Sequence, residues 1–420
     1  MWYSAGAVNL KILVISQCFW PENFRINNLV TELMALDHTV TILTGTPNHP
    51  NSDYDKNPEA FLDYHGAEVV RVPFVPKGTG LFQLMLNYIS FFLIASTLGL
   101  WKIRKQQFDV VLVFGVSPVT VGIPAIIYRM LTKTPVIFWV LDLWPESVSA
   151  VGALKSPFLL KLIGKLVSFI YNRCDLVLGQ SKSFLDNITQ YCNDHSKVHY
   201  FPNWAENIYK SKVDEGLLAP EITKNPDVFS VLFAGTVGDA QDFPTILDAA
   251  ESLKNEAVRW LIVGTGRKTD WLEAEVKRRN LQNTVLLLGR FPLERMPSFY
   301  GHADALLVTL KEDPVFAMTI PGKLQSYLEA GIPIVGALDG EGAMVIRDAQ
   351  AGIASRSGNA LELAQAVRQI AAIPQDERAQ MGRNGQLYAQ REFGREVLIA
   401  RLEHWMQELV RDNVRKKNCH

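Results

Sequence analysis

The sequence predicts an α/β protein made of two doubly wound, Rossmann-like domains that face each other across a cleft. Short apolar runs alternate with segments of helical period, and this alternation occurs twice along the 420 residues. The apolar runs have almost no polar alternation, as expected for parallel strands that are covered on both faces. A chain of this length is also too long for one comfortable core, which favours two domains of roughly 200 residues each.

The first half contains seven predicted strands with helices between them. The strands are predicted at 11–17, 39–45, 68–74, 109–115, 135–142, 174–181 and 198–201, and the clearest helices at 24–36, 118–131 and 157–172. No G-x-G-x-x-G motif follows the first strand, which counts against a nicotinamide or flavin enzyme.

An irregular stretch with several charges and prolines, 205–227, separates the two halves and is predicted to be the linker. The domains are then 1–204 and 228–392, and 393–420 forms a C-terminal helix that returns to the first domain. Strands of the second half are predicted at 229–235, 258–264, 285–289, 305–310 and 332–337, and helices at 244–254, 268–280, 321–330, 359–372, 377–391 and 397–410.

Composition excludes some classes of protein. A formal net charge of −1 argues against nucleic-acid binding, which usually requires a basic excess. The four cysteines have no C-x-x-C spacing and are interpreted as reduced, as in the cytosol. The first ten residues lack the basic start of a secretory signal, so we expect a cytoplasmic protein.

A helix that begins near Pro321 is the strongest candidate for an anion site. Its N-terminus offers unpaired backbone N–H groups and the positive end of the helix dipole, and Lys323 adds a full charge. The residues brought together there are Thr319, Ile320, Pro321, Gly322 and Lys323. Proline and small residues also suit an ordinary helix start, so this alternative stays open at the level of the motif.

Three predicted strand ends carry glycine with polar neighbours. These are Gly235 with Thr236 and Gln241, Gly264 with Arg267, and Gly289 with Arg290 and Phe291. Glycine lets a ligand approach the backbone closely, and arginine binds phosphate. Each is an ordinary turn when taken alone. Together with the helix start they predict a phosphate site on one carboxyl edge.

The first half has polar residues at two strand ends. Glu22, Asn23 and Arg25 lie at the first strand–helix junction, and Asp142 ends the strand 135–142. Ligands of open α/β sheets gather at such positions. The alternatives are helix capping by Glu22 and Asn23, and a turn aspartate at Asp142.

The segment Leu81 to Trp101 is the most apolar in the chain and is followed by three basic residues within 102–105. We weigh three interpretations: a helix that enters the membrane surface, a buried core helix, and a true span. The loop sequence Asp53-Tyr-Asp55 has the D-x-D spacing of some metal sites, but a lone pair of carboxylates is weak evidence, and no metal is expected.

Several sequence segments resemble those of glycosyltransferase family 4, a GT-B family. The similar segments are QCFWPENFRINNLVTEL, TGTPNHP, WVLDLWPESV, GTVGDAQDFPTILDAA, VGTGRK, LGRFPLERMPSFYGHADALLVTLK and TIPGKLQSYLEAGIPIV. They look like a bacterial subgroup that builds O-antigen and capsule repeat units and includes L-N-acetylfucosamine transferases.

The resemblance implies a retaining, metal-free transfer from a UDP-sugar to a sugar on polyprenyl diphosphate at the inner face of the cytoplasmic membrane. The donor base would lie near Phe291, the ribose near Ser326 and the diphosphate at the helix start. Lys323 and Arg290 would stabilise the leaving diphosphate, while Asn23 and Arg25 would hold the acceptor. Asp142 or Glu22 would take the acceptor proton.

The chain departs from the family pattern at its two usual glutamates, where it has Met318 and Ser326; Glu329 lies one helical turn away. Thr236 and Gln241 or Asp242 replace the common Arg and Lys, and Leu141 replaces a common histidine. Two other functions therefore stay open: a nucleotide-sugar 2-epimerase of the same fold, and a binding subunit without catalysis.

Overall fold

The computed structural model describes residues 9–22, 24–47, 52–78, 80–150, 154, 156–204 and 217–418. Asn23, Cys419 and 205–216 of the predicted linker lie outside the described residues. The chain divides into two compact units. The first comprises Met1–Phe201 and Glu396–His420, and the second comprises Pro202–Arg395.

The first unit is built on an eight-stranded sheet in the order β3-β4-β2-β1-β5-β6-β7-β8. Among the strands that the structure describes, only the two-residue strand β3 pairs in the antiparallel direction. The strands are β1 (Lys11–Ile15), β2 (Thr39–Gly45), β3 (Asp63–Tyr64), β4 (Ala67–Val72), β5 (Val110–Gly115), β6 (Val136–Val140), β7 (Leu176–Gly179) and β8 (Val198–Tyr200). Nearly every residue of β1, β5 and β6 is buried, which confirms that helices cover both faces.

Helices connect these strands. They are α1 (Arg25–Ala35), α2 (Ser52–Lys56), α3 (Leu81–Ile94), α4 (Leu100–Ile103), α5 (Gly122–Thr132), α6 (Glu146–Ala150), α7 (Pro157–Arg173) and α8 (Lys182–Thr189). A π-helical turn, Ala95–Gly99, joins α3 to α4, so the apolar segment of the sequence forms one continuous helix.

The second unit has a six-stranded parallel sheet in the order β11-β10-β9-β12-β13-β14. Its strands are β9 (Phe229–Ala234), β10 (Val258–Val263), β11 (Val285–Gly289), β12 (Ala305–Thr309), β13 (Ile334–Ala337) and β14 (Gly352–Ser355). Its helices are α9 (Phe243–Ser252), α10 (Thr269–Arg278), α11 (Met296–Tyr300), α12 (Pro314–Ala317), α13 (Gly322–Ala330), α14 (Gly340–Asp348), α15 (Ala360–Ala372) and α16 (Gln375–Phe393). In this unit the sequence did not predict β14, α11, α12 or α14.

Residues 217–227, predicted as the end of the linker, pack against the second unit instead. Ala219 and Ile222 are buried in its core, and the Ala219 N–H donates to the carbonyl of Ser298. The Arg295 guanidinium also forms a salt bridge with Glu221. The segment has no hydrophobic periodicity, and two apolar residues alone were too weak a pattern to predict this packing.

The last helix, α17 (Arg395–Asn418), belongs almost entirely to the first unit. Leu402 and Met406 are fully buried. The Glu403 carboxylate lies 3.5 Å from the buried imidazole of His38, and the ring of Trp405 lies 5.2 Å from that of His199. The helix therefore contacts the first unit at His38, which precedes β2, and at His199 of β8.

Candidate functional site

Three strand-end glycines of the second unit lie side by side. Gly235 directly follows β9, Gly264 follows β10, and Gly289 ends β11. The Gly235 N–H donates to the Val263 carbonyl over 2.9 Å, and the Gly264 N–H donates to the Gly289 carbonyl over 2.7 Å. The structure thus brings these predicted glycines together on one carboxyl edge.

Only glycine fits the position of Gly264. Its φ of +143° is unfavourable for side chains, and an added Cβ would lie 1.8 Å from the carbonyl oxygen of Gly235. The two loops are consequently in direct contact, and the N–H groups of Val237 and Lys268 donate to the carbonyls of Thr265 and Val237, respectively. Such contact leaves a backbone surface with no side chain at its centre.

We expect Gly264→Ala to destabilise the second unit by on the order of 3 kcal/mol or more, because backbone strain and a clash with backbone act together. Gly289→Ala is the matched control. Its φ is +80°, but an added Cβ would meet no atom within 4 Å, so only the strain of about 1–2 kcal/mol remains. Thermal or urea unfolding of both variants measures the difference, and equal losses would contradict the close approach.

Helix α13 starts at the same edge. Pro321 is the residue before the helix rather than its first residue, so the helix begins at Gly322 and Lys323 is its second residue. No side chain among the described residues caps this helix start. The N–H of Leu324 donates to the Pro321 carbonyl over 2.8 Å, so the N–H groups of Gly322 and Lys323 are the ones available to an anion. The helix ends at Gly331 in the left-handed conformation, as the sequence predicts.

Lys323 turns its ammonium into the interior of this edge. Nζ lies 3.7 Å from the ring centroid of Phe233, and a Cβ added to Gly235 would lie 3.0 Å from it. The atom is buried although the rest of the side chain is partly exposed, and it has no hydrogen-bond partner among the described residues. Burial lowers the pKa of Lys323 to about 7. The side chain is therefore about half protonated at pH 7, and its charged form has no anionic partner within the described part of the chain.

Two residues that support this arrangement were not identified from the sequence. The Phe233 ring supplies the aromatic face beneath the ammonium. The Tyr327 hydroxyl accepts from the Ala234 N–H over 2.9 Å and thereby holds the end of β9 against α13. Both are aromatic residues inside apolar segments, which gives them the sequence signature of ordinary core.

The other predicted donor residues differ in their placement. Thr236, Arg267 and Arg290 are exposed on the loops at this edge. The ring centroid of Phe291 lies 4.5 Å from that of Phe299. The Thr309 hydroxyl at the end of β12 donates a hydrogen bond to the backbone carbonyl of Gln241, so this contact to the sheet does not involve the Gln241 side chain. These loops leave both guanidinium groups accessible to a ligand.

Three residues of the predicted donor site face the interior of the unit. Ile320 is 2% exposed and packs in the core, so its side chain is not a ligand. The Thr319 hydroxyl donates to the Val315 carbonyl over 2.9 Å. Ser326 is 7% exposed, because α13 turns this position toward the interior of the unit. Only their backbone groups, or small movements of the side chains, would serve a ligand.

Asp142 of the first unit belongs to a hydrogen-bonded cluster. The Trp144 indole N–H donates to the Asp142 carboxylate over 3.2 Å and to the Ser117 hydroxyl over 3.0 Å. The Tyr88 hydroxyl, from α3, lies 3.5 Å from that of Ser117. Burial raises the pKa of Tyr88, and the nearby charge of Asp142 raises it further. Asp142 is therefore an oriented carboxylate rather than a turn residue alone.

Glu22 lies near a different group, Arg71 of β4. The Arg71 guanidinium donates to the carbonyls of Trp20, Gly45 and Phe61, which holds the loop after β1 and the end of β2 against the short helical turn at 58–61. Burial lowers its pKa to about 10, against the raising effects of Tyr54 and Glu22.

Arg25 is the first residue of α1 and is half-buried, while Asn23 lies outside the described residues. The residue before α1 is Phe24, whose side chain provides no cap. Within the described part of the chain, no group of three or more His, Cys, Asp or Glu is placed to hold a metal ion.

Comparison with known proteins adds two family models and several relatives. The model of a glycosyl transferase 4-like domain matches residues 23–204, and that of glycosyl transferases group 1 matches residues 217–388. WcaI of Escherichia coli (strain K12), whose name describes a glycosyl transferase of colanic acid biosynthesis, is 26% identical over 77% of this chain and 82% of its own length. WbjE of Pseudomonas aeruginosa, named as a glycosyltransferase, is 30% identical over 58% of this chain and 60% of its own length.

Solved structures share the architecture. HepE of Anabaena, determined in complex with UDP and glucose, has a TM-score of 0.67 and 15% identity, covering 95% of this chain and all of its own. WaaG, a glycosyltransferase involved in lipopolysaccharide biosynthesis, has a TM-score of 0.67 and 13% identity, covering 94% and 99%. At these identities the likeness shows the fold.

The two matched domains and the shared architecture define the class: this protein has the GT-B fold and is a glycosyltransferase. The chain belongs to the GT-B glycosyltransferases of the family 4 type. This class replaces the two alternatives that the sequence left open, the epimerase and the subunit without catalysis.

Proposed function

We propose that the protein transfers a sugar from a UDP-sugar, with retention of configuration and without a metal, to a sugar on polyprenyl diphosphate. One observation carries the donor site. Lys323 presents a buried ammonium with no hydrogen-bond partner among the described residues, at an uncapped helix start and beside the strand-end glycine Gly235. A diphosphate would supply the anion that this ammonium lacks.

The chemistry follows from where charge develops. As the bond between the sugar and UDP breaks, negative charge grows on the leaving diphosphate, and a fixed cation and helix dipole stabilise it without reorganisation. Lys323 and the exposed Arg290 are the proposed electrostatic catalysts. Asp142 or Glu22 would accept the proton of the acceptor hydroxyl, and the hydrogen bond from Trp144 fixes the direction of the Asp142 carboxylate.

The names of relatives guide the wider role. WcaI is named for colanic acid biosynthesis and WaaG for lipopolysaccharide biosynthesis. Together with the resemblance of the motifs, these names favour the assembly of an O-antigen or capsule repeat unit, with N-acetyl-L-fucosamine or a related amino sugar as the donor sugar. The protein would then work at the cytoplasmic face of the inner membrane, held there by residues 81–101.

Calorimetry with a panel of UDP- and GDP-sugars tests the donor class. We expect one UDP-sugar to bind best, and transfer to a lipid-linked acceptor extract to depend on that donor. Binding of GDP-sugars alone would overturn the choice of UDP. Conversion of the UDP-sugar to an epimer without acceptor would overturn transfer as the main reaction.

We expect binding of the UDP-sugar to take up a proton near neutral pH. In the free protein Lys323 has a pKa of about 7, and a bound diphosphate raises it, so affinity is greatest below pH 7 and falls as pH rises through that value. Calorimetry at roughly pH 8 in two buffers of different ionisation enthalpy measures the uptake. Lys323→Arg is the matched control, because arginine stays charged and should bind the donor without taking up a proton. Equal uptake in both proteins would assign the proton to another group.

A further inference from the structure

The outer side of three neighbouring helices forms an apolar surface on the first unit. The connections β5 to β6 and β6 to β7 step in one direction across the sheet, so the right-handed crossover rule places α5 and α7 on one face. Helix α5 contacts both α7 and α3, which extends the layer to the apolar segment. We call the exposed side chains of α3 to α5 and α7, including the turn and short helix after α3, the three-helix face.

On α3 the exposed positions follow one stripe. Phe82 is 75% exposed, and Met85, Ile89 and Leu93 continue from it at helical spacing. Trp101 ends the stripe, and the Arg104 guanidinium lies 4.0 Å from the centroid of its ring. The aromatic and cationic groups therefore share one position at the end of the segment.

Helix α7 repeats this arrangement, although no part of it was predicted to contact a membrane. Phe158 is 76% exposed, and Leu162 and Phe169 are also exposed. The Arg173 guanidinium lies 3.8 Å from the centroid of Phe169, as Arg104 does with Trp101. Between the two helices, the end of α5 exposes Met130 and Leu131. Exposure of so many neighbouring apolar side chains to water is unfavourable in free energy, which indicates a docking site.

The charge of these helices indicates what binds to the three-helix face. Residues 81–105, 122–133 and 157–173 contain eight Lys or Arg and no Asp or Glu, although the whole chain has a net charge of −1. One of the eight, Arg129, pairs with Asp175. A second copy of the same face would bring cations against cations. An anionic lipid surface instead matches both the apolar side chains and the basic ones.

The opposite side of α3 is part of the core and rules out a span for this fold. Phe82–Ile103 is the one helix among the described residues that is long and apolar enough to cross a membrane. Its inner side buries Phe91 and Ala95. The Asn87 side chain accepts a hydrogen bond from the Gln17 amide and donates one to the Val75 carbonyl. Crossing the bilayer would break these contacts with the segments that follow β1 and β4. Only the outer side of the helix is therefore available to lipid.

We propose that the three-helix face lies flat on an anionic bilayer, with α7 contacting lipid as directly as α3. This inference builds on the proposed membrane association of residues 81–101 and extends it to two more helices. Tyr88, on α3, joins this layer to the cluster of Ser117, Trp144 and Asp142. A lipid-linked acceptor would then meet Asp142 at the margin of the bound surface.

Co-sedimentation with vesicles tests the face without donor or acceptor, so its outcome is independent of the proposed reaction. We expect the protein to bind vesicles of phosphatidylglycerol and phosphatidylcholine, and to bind phosphatidylcholine alone far more weakly. Phe158→Ser with Leu162→Ser should weaken binding by roughly 10- to 100-fold. The control, Leu361→Ser with Leu387→Ser, removes comparably exposed side chains of the second unit and should leave binding unchanged.

The basic residues require a separate comparison. Lys161→Gln with Lys165→Gln should weaken binding to the anionic vesicles several-fold, while Lys254→Gln with Lys277→Gln in the second unit should not. Added salt should reduce binding of the intact protein, which tests the charge without any variant. Unchanged binding of the Phe158 and Leu162 variant would overturn the role of α7. Salt-independent binding, or self-association in place of vesicle binding, would overturn the lipid surface as the occupant.

Discussion

Lys323→Ala is expected to lower donor affinity and kcat/KM by at least about a hundredfold, corresponding to roughly 3 kcal/mol. The reason is that its ammonium has no hydrogen-bond partner among the described residues of the free protein, so its charge is available to the diphosphate. The effect should be greater on kcat/KM than on donor affinity, since negative charge on the diphosphate grows in the transition state. Calorimetry and initial rates at several donor concentrations measure the two quantities.

Lys311→Ala is the matched control, because Lys311 is exposed on the loop that follows β12 and its loss should have little effect. Stability gives a second measurement. A buried ammonium with a pKa of about 7 costs the folded state a few kcal/mol at neutral pH, so Lys323→Met should unfold at a higher temperature than the intact protein. If Lys323→Met is less stable than the intact protein and binds the donor normally, Lys323 has a structural role only.

Asp142→Asn is expected to lower kcat by about 10²- to 10⁴-fold, the usual contribution of a general base. The amide keeps the size of the side chain and can still accept the hydrogen bond from Trp144, but it cannot take a proton. Donor affinity should remain unchanged, because Asp142 lies in the first unit and the proposed donor site lies in the second. Single-turnover rates with saturating donor separate the chemical step from binding.

Glu22→Gln decides between the two candidate bases. If Asp142 is the base, the Glu22 variant should lose much less activity, and its loss should appear mainly as a higher KM for the acceptor. A larger fall in kcat for Glu22→Gln than for Asp142→Asn would transfer the role to Glu22.

The regular elements of the fold could be predicted because burial on both faces leaves a simple pattern. Runs such as 109–115 and 135–142 contain almost only apolar residues, and the structure makes β5 and β6 of them. The strand β14 was missed because Gly352–Ser355 is short, rich in small residues and only partly buried at the sheet edge. Its position depends on pairing with β13, which a local pattern does not contain.

The location of the site could be predicted in part, since glycines at strand ends and a helix start are local features. The burial of the Lys323 ammonium could not, because it depends on Phe233, which is 90 residues away in the sequence but lies beneath Nζ in the fold. The same reasoning applies to Asn87, a polar residue inside an apolar segment. Its partner, Gln17, lies in the loop that follows β1.

The chain leaves the first unit after Phe201 and returns to it at Glu396, so the second unit is an insertion within the first. A premature stop codon after Arg395 would therefore spare the second unit and damage the first. It would remove Leu398, Ile399, Leu402 and Met406, all of which are buried. For the same reason, a fragment that ends at Arg395 would carry an incomplete first unit. The two units are best separated for expression by excising 202–395 rather than by cutting the chain once.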